Sequence, residues 1–544
     1  MSSRHPIAGL SHVRGATDTP LLELTIPQLL AETTKRLPDH EACVFPAQGI
    51  RWSYSEFNQQ VERVASGLHG LGIRKGDRVG LWSPNRVEWL LTQFATARIG
   101  AILVCINPAY RQSELAYALE KVGCVALITA QAFKSSDYIE MIRALDPKPN
   151  TLKHLIAMGD APDGFVSFDD LASDSPIPPI ELDPFEPINI QYTSGTTGSP
   201  KGACLTHHNI VNNAYFTCAT MGFTPADRLC IPVPFYHCFG MVMGTLGCVA
   251  HGATMVIPGE GFEAQATLQA VHDERCTALY GVPTMFVAEM ALPDFADYDL
   301  SQLRTGIMAG APCPRAIMEK VQRDMNMSGV TIAYGMTETS PVSFQSGLHD
   351  PLDKRVGTVG QIHPHVEVKI VNDAGAVVPV GVQGELLTHG YSVMQGYWGE
   401  DAKTSDAIRD GWMHTGDLAT MDAEGFVQIT GRVKDMIVRG GENIYPREIE
   451  EFLFTHKDVA QAQVFGIPDE MYGEIVCAWL VLQDGAQLSE ADIVAFCRGQ
   501  IAHYKLPAHV RFKSELPMTV TGKPQKFVMR DAMVAELREG LRAE

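Results

Sequence analysis

The chain has 544 residues, too many for one ordinary hydrophobic core, so roughly two to four structural units are expected. Hydrophobic residues at 45% and charged residues at 19% describe a soluble globular protein, and a formal net charge of −20 argues against nucleic acid or an anionic membrane as the main partner. The twelve cysteines are scattered without a C-x-x-C pair, and Cys43, Cys105 and Cys124 lie in apolar runs as buried thiols. That usage fits a reducing cytoplasm.

The start, Met-Ser-Ser-Arg-His-Pro, lacks the apolar stretch of a secretory signal, and the closing Leu-Arg-Ala-Glu is not a peroxisomal address. Cys238 to Ala250 is the longest nearly continuous apolar run, glycine-rich and too short to span a bilayer, so no transmembrane segment is expected. Neither an internal repeat nor a low-complexity tract is present.

Phe57, Val61, Val64, Ala65 and Leu68 fall at helical spacing. Asp77 to Trp82 reads as a strand, Val87 to Ala97 as a helix, and Ala101 to Ile106 as the next strand. A helix over Ser113 to Val122 leads into a strand over Cys124 to Ile128. Such alternation predicts a parallel sheet covered on both faces. Asp174 to Pro187 is proline-rich and reads as a connector.

Ile188 to Tyr192 then forms a short apolar strand, and Leu205 to Thr220 reads as a helix. Between them lies Tyr192-Thr-Ser-Gly-Thr-Thr-Gly-Ser-Pro-Lys-Gly202. Glycines let backbone N–H groups wrap phosphate oxygens, the hydroxyls of Thr193, Ser194, Thr196 and Thr197 add donors, and Lys201 adds a point charge. This is not the P-loop pattern G-x-x-x-x-G-K-[ST], because the order here is Lys201-Gly202.

Leu229 to His237 contains prolines that argue against a regular central strand and ends on Tyr236-His237. Tyr280 to Met285 and Gly306 to Pro312 are broken by Gly and Pro and read as loops at strand ends, where open α/β sheets bind ligands. Ala333-Tyr-Gly-Met-Thr-Glu338 sets an aromatic ring, a hydroxyl and a carboxylate within a few residues. Tyr334 is suited to stack on a purine, Thr337 to bond a phosphate, and Glu338 to hold Mg2+, which takes oxygen ligands shared with nucleotide phosphates. The plain alternative is a strand end with a helix cap at Thr337. Gly384 to Leu387 and Gly390 to Trp398 read as small β elements, and Trp412 to Leu418 presents Asp417 beside Gly416 in a short loop.

After Gly431-Arg-Val-Lys-Asp-Met-Ile-Val-Arg-Gly-Gly-Glu-Asn-Ile-Tyr-Pro446 the pattern alternates again. A helix over Arg447 to Thr455, strands over Ala460 to Phe465 and Ile475 to Leu482, a helix over Glu490 to Ile501 and a strand near Val510 to Lys513 make a small α+β domain. Leu516-Pro-Met-Thr-Val-Thr-Gly-Lys523 lies near the end.

Taken in this order, the glycine-rich loop, Tyr236-His237, Gly306 to Pro312, Ala333 to Glu338, Thr415-Gly-Asp417, the stretch over 431–446 and Gly522-Lys523 resemble the adenylate-forming superfamily of acyl-CoA synthetases, peptide-synthetase adenylation domains and firefly luciferase. Within it the chain looks most like the medium-chain acyl-CoA ligases, by Pro187-Ile-Asn-Ile-Gln191 before the loop, Tyr236-His-Cys-Phe-Gly240 and the stretch Lys434 to Pro446. The resemblance implies an α/β fold: a large N-terminal domain of doubly wound sheets with a small β-barrel-like subdomain over 1–431, a hinge at 432–435, and a mobile α+β domain over 436–544. It implies an ATP-dependent ligase that makes acyl-AMP from a carboxylic acid, releases pyrophosphate, and passes the acyl group to CoA. The acid expected is a medium-chain fatty acid, with aryl, branched or terpenoid acids open.

Residue by residue, Thr193, Ser194, Gly195, Thr196, Thr197, Gly198 and Lys201 are implied to hold ATP phosphates. Gly310, Ala311 and Pro312 pack against adenine, with Tyr334 and Gly335 beside it. Asp417 grips the ribose and Arg432 the ribose or phosphate. His237 lies beside the reacting carboxylate, Thr337 and Glu338 act at the phosphates, and Glu338 with Thr193 binds Mg2+. Lys523 bridges acid and α-phosphate. Lys434 is the hinge, and Gly440, Gly441 and Glu442 line the route of CoA. Phe239, Met241, Met308 and Met336 are apolar candidates for the acyl pocket. Two departures stand out: Met518 where a basic residue is frequent and Pro524 where Ile or Val is usual. Two rivals are weighed. One is an adenylating enzyme that serves a carrier-protein thiol or oxygen; the other is a non-catalytic nucleotide-binding regulator, against which the presence of both Glu338 and Lys523 speaks. The partners implied are small molecules only, and a homodimer is compatible with them.

Overall fold

A computed structural model describes residues 4–193, 200–311, 313–439, 442–519 and 524–543. The chain forms two compact units, one of 1–5, 13–368 and 388–414, the other of 6–12, 369–387 and 415–544.

Two sheets organise the first unit. In one, the order is Val166–Ser167, His154–Ala157, Ala126–Thr129, Arg78–Trp82, Ile102–Cys105, Pro187–Thr193, Lys201–Thr206 and Gly396–Tyr397. It is parallel as far as Pro187–Thr193 and antiparallel beyond. In the other, Gly329–Thr331, Thr305–Met308, Ala278–Gly281, Arg228–Cys230, Thr254–Val256 and Glu41–Phe45 run parallel, and Ile50–Ser53 closes the edge antiparallel. The strands read as continuous apolar runs because both faces are covered.

Helix positions follow from local chemistry. Ser53 accepts from the Glu56 N–H at 3.2 Å while the Glu56 carboxylate accepts from the Ser53 N–H at 2.7 Å. This reciprocal cap starts the helix Tyr54–Gly70. Its buried face, Phe57, Val61, Val64 and Leu68, has the spacing read from the sequence. Phe57 meets Phe94 edge-to-face at 5.2 Å, and each such ring contributes about 1.5–3 kcal/mol by burial. Phe94 belongs to the helix Val87–Arg98, buried at every position but Arg98. Buried around its circumference, with Thr92 and Thr96 bonding carbonyls of its own preceding turn, this helix shares a core with residues of both sheets, among them Val104, Ile190, Leu229 and Met255.

The structure corrects the expected strand-to-helix passage after the phosphate loop. Lys201–Thr206 is a strand, paired antiparallel with Pro187–Thr193, and the helix begins only at His207. Thr206 is its cap: the Asn209 N–H donates to Thr206 Oγ1 at 3.1 Å and the Thr206 N–H to Asn209 Oδ1 at 2.9 Å. Thr193 and Lys201 are therefore register partners at the rim of this strand pair. The apolar run after Cys238 is a wide, π-type helical segment, Phe239–Leu246, fully buried and continued by Gly247–His251. Among the described residues no helix is long and apolar enough to cross a membrane.

In the second unit a sheet runs in the order Glu442–Ile444, Ile437–Arg439, Gly473–Leu482, Val459–Asp469, with His509–Phe512 parallel to Gly473–Leu482. The helices Pro446–Leu453 and Glu490–Cys497 supply Ile449, Leu453, Ile493 and Cys497 to its core. The sequence shows no sign of a last helix, Lys526–Ala543, whose Met529 and Met533 are buried on Phe465, Ile467 and Trp479, with Val534 and Leu537 packed beside them. The division between the units also differs from the boundary read at 432–435. Val427–Arg432 pairs with Trp412–Met421 and supports the helix Pro446–Leu453, so residues 415–431 pack with the C-terminal elements. Val433–Asp435, which contains Lys434, is a single tight helical turn.

Candidate functional site

The first unit brings the rims of the phosphate-loop hairpin to Glu338. Thr193 Oγ1 donates to Glu338 Oε1 at 3.1 Å, joining residues 145 positions apart. Glu338 sits on the tight turn Thr337–Thr339, just past the strand Ala333–Gly335. Gly335 makes this turn possible: a Cβ there would lie 1.8 Å from the Pro341 carbonyl oxygen. Within the turn the Met336 N–H donates to Thr339 Oγ1 at 3.2 Å.

A residue that sequence reasoning did not single out completes the arrangement. Tyr397 donates its hydroxyl to Glu338 Oε1 at 2.9 Å, and Lys201 Nζ stands over the Tyr397 ring at 4.7 Å from its centre. Burial first, and the Glu338 carboxylate second, push the Tyr397 phenol above its ordinary range, so it stays protonated and donates. The stretch Gly390 to Trp398 reads from sequence as a small β element, and nothing in its local pattern points at Glu338.

Glu338 is buried, yet its Oε2 has no hydrogen-bond partner among the described residues, and Thr193 lies beside it. A carboxylate oxygen next to a hydroxyl is a hard-oxygen donor pair that fits Mg2+, a cation that completes its shell with water and phosphate oxygens. Among the described residues there is no cluster of three or more acidic, His or Cys side chains able to cage an ion. The residues 194–199 and 312, which carry the expected phosphate and adenine contacts of Ser194, Gly195, Thr196, Thr197, Gly198 and Pro312, lie outside the described residues.

His237 precedes the buried π-type segment and accepts from the Phe239 N–H through Nδ1 at 3.2 Å, which leaves its ring proton on Nε2. Beside it, Cys238 Sγ donates to Gln191 Oε1 at 3.0 Å, and burial pushes the thiol up, away from reactivity. Phe239 packs on Tyr280 with ring centres 5.3 Å apart. Met241 is buried with its sulfur 3.8 Å from Gln191 Nε2 and 3.9 Å from Cys105 Sγ. Phe239, Met241 and Met336 all meet the main core.

Met308 does not join them. It packs into a second core with Phe286, Met318 and Val321, while its neighbour Ile307 faces the main core. Successive side chains in the strand Thr305–Met308 point to opposite faces, so only one of the pair reaches the side shared by Phe239. Gly310 and Ala311 follow this strand end, and Cys313 Sγ donates to the carbonyls of Met308 at 3.3 Å and Ala311 at 3.5 Å. Tyr334 is half-buried, its ring 6.2 Å from Phe344.

In the second unit Asp417 and Arg432 are register partners in neighbouring strands. Asp417 is buried and its N–H donates to Thr415 Oγ1 at 3.1 Å; Thr415 Oγ1 in turn donates to the Leu386 carbonyl at 2.7 Å. Lys434 and Glu442 are exposed. Gly440, Gly441 and Lys523 lie outside the described residues.

Comparison with known proteins gives one consistent picture. Residues 30–398 match the family described as AMP-binding enzyme, and residues 448–523 match its C-terminal domain. A medium-chain acyl-CoA ligase of Danio rerio mitochondria, ACSF2, is 44% identical over 98% of this chain and 92% of its own length. Among solved structures, the anthranilate CoA ligase AuaEII in complex with anthranoyl-AMP is 27% identical with a TM-score of 0.85, covering 95% of this chain and 98% of its own. A Mycobacterium tuberculosis fatty acyl CoA synthetase is 30% identical with a TM-score of 0.75, covering 94% and 99%.

Proposed function

The chain belongs to the AMP-binding enzyme family and is an acyl-CoA ligase that uses ATP and CoA, and on that premise we propose that its acid is a medium-chain fatty acid and that Mg2+ accompanies the nucleotide. The acid's carboxylate oxygen attacks the α-phosphorus of ATP, the bond to the β-phosphate oxygen breaks, and pyrophosphate leaves. The CoA thiol then attacks the acyl carbon, losing its proton, and AMP departs.

The observation that carries this reading is the buried Glu338 carboxylate, held by Thr193 at the rim of the glycine-rich loop. Glu338 Oε2 and the Thr193 hydroxyl would hold Mg2+, which when bound offsets charge on the nucleotide's phosphates. Lys201 meets the same phosphates as a point charge. His237 is assigned to the acid's carboxylate, a choice supported by its place directly before the buried segment that bears Phe239 and Met241. Phe239, Met241 and Met336 are the apolar candidates for the chain's surroundings, a choice supported by their common core. Asp417 and Arg432 serve the ribose, Gly310, Ala311 and Tyr334 the base. Lys523 is assigned to the first step and Gly440, Gly441 and Glu442 to the second. The proposed location is the cytoplasm, a choice supported by twelve cysteines that form no disulfide.

The test is acid-dependent release of pyrophosphate and AMP from Mg-ATP, with and without CoA, over short, medium, long and aromatic acids. Turnover that requires CoA and peaks at acids of medium length supports the proposal. A peak at aromatic or branched acids overturns the choice of acid while leaving the ligase intact.

A further inference from the structure

We propose that Tyr397 is a positioning residue for adenylation, its hydroxyl fixing the Glu338 carboxylate and its ring seating the Lys201 ammonium, so that one side chain sets the spacing of two opposite charges at the phosphate site. This rests on the roles given above to Glu338 and Lys201.

Three observations carry it. The first is contact with both partners, the hydroxyl on Glu338 Oε1 at 2.9 Å and the ring face under Lys201 Nζ at 4.7 Å. A ring face attracts an ammonium without neutralising it, so Lys201 keeps its full charge for an anion. Thr193 and Tyr397 both bond Oε1, which leaves Oε2 as the oxygen to meet a cation.

The second is rigidity. Tyr397 is 6% exposed, and its strand Gly396–Tyr397 pairs with Lys201–Thr206, the strand that bears Lys201. The Gln395 N–H donates to the Cys204 carbonyl at 3.0 Å and the Trp398 N–H to the Gly202 carbonyl at 2.8 Å. The Tyr397 N–H donates to Thr404 Oγ1 at 2.9 Å. Gly396 is required here, since a Cβ would lie 2.8 Å from Thr404 Cγ2 at a φ of +151°.

The third is that the same segment also holds Glu338 by its backbone: the Met394 N–H donates to the Glu338 carbonyl at 2.9 Å. Residues 394–398 thus fasten the carboxylate's main chain, its side chain and the hairpin strand of Lys201 in one stretch.

The experiment compares Tyr397→Phe, which keeps the ring and removes only the hydroxyl, with Glu338→Gln and the double variant. Both half-reactions are followed separately, as is equilibrium binding of ATP with and without Mg2+. Tyr397→Phe is expected to slow acyl-adenylate formation about tenfold to a hundredfold, the cost of a carboxylate loosened by a fraction of an ångström. It should leave thioesterification of supplied acyl-AMP within about twofold and shrink the gain in ATP affinity that Mg2+ produces in the parent protein. In the Glu338→Gln background the same change should add little, because the two act as a unit.

Adenylation within twofold of the parent in Tyr397→Phe, with Glu338→Gln impaired, overturns the role of Tyr397 alone. Equal loss in both half-reactions overturns it too, as the mark of a merely structural side chain. Full adenylation by Glu338→Gln overturns the reading of the site and this inference with it.

Discussion

Arg432 donates from Nε to Asp417 Oδ1 at 2.9 Å across two antiparallel strands of the second unit. The two members of the pair differ in setting: the Asp417 side chain is 10% exposed and that of Arg432 is 62% exposed. A half-solvated pair of this kind contributes only about 0–1 kcal/mol to stability, so its value lies in keeping a carboxylate oriented for ribose hydroxyls. Asp417→Ala is expected to raise KM for ATP by about tenfold to a hundredfold, the loss of charge-assisted hydrogen bonds. Arg432→Ala should raise it less. The thermal unfolding of Arg432→Ala should match that of the parent protein. Initial rates over an ATP series check the first two statements and calorimetry the third; an unchanged KM in Asp417→Ala would falsify the ribose role.

Lys523 is expected to act in one half-reaction only. Lys523→Ala should suppress acyl-adenylate formation by about two to three orders of magnitude, as for removal of one electrostatic donor at a developing negative charge. Thioesterification of supplied acyl-AMP should survive. Pyrophosphate release and acyl-CoA formation from synthetic acyl-AMP, measured separately, give the answer, and a parallel fall in both would assign Lys523 to something common to the two steps.

Gly335 is where local geometry leaves no room. Because a Cβ would stand 1.8 Å from the Pro341 carbonyl oxygen, Gly335→Ala must part Ala333–Gly335 from Val342–Gln345. Overpacking of this kind costs about 1–3 kcal/mol and moves Tyr334 and Glu338 with it. We expect adenylation to fall by about a hundredfold, with the protein still folded by circular dichroism. Parent-like adenylation would show that the turn tolerates a side chain.

Glu289 should make stability depend on pH. It lies on the helix Pro283–Met290, is 1% exposed, and its Oε2 has no hydrogen-bond partner among the described residues. Burial pushes its carboxyl well above the ordinary value of 4.5. The folded state therefore keeps a proton that the unfolded chain releases above 4.5, so stability is present in full below that value and declines as pH rises through the raised folded value. The slope reaches about 1.4 kcal/mol per pH unit over that window. Glu289→Leu is expected to raise the thermal midpoint of this unit by a few degrees at pH 8, to change it little at pH 4.5, and to flatten the curve between. A midpoint equally shifted at both pH values would mean that packing, not the proton, is responsible.

Local chemistry was legible wherever a motif carries its own geometry. The apolar spacing of the helix Tyr54–Gly70, the alternation from Arg78–Trp82 to Ala126–Thr129, and the strand end at Ala333 to Glu338 were readable because periodicity and hydrogen bonding there span only a few residues. Where pairing is distant the reading failed. The sequence starts the helix at Leu205 and shows no strand after the loop, because the strand character of Lys201–Thr206 comes from its distant partner Pro187–Thr193. Met308 was grouped with Phe239 because both are apolar and near motifs, and the face each occupies is set by sheet register.

By itself, then, the sequence determined the kind of chemistry: a glycine-rich loop with Lys201, a turn presenting Glu338, and a chain that belongs to the AMP-binding enzymes. Only the tertiary structure decided which groups meet. Thr193 and Tyr397 reach Glu338 from 145 and 59 residues away, and Lys201 lies over the same ring. Those meetings depend on how sheet strands pair at long range. Pairing is fixed by the cooperative burial of the whole core and not by any residue's neighbours in the chain.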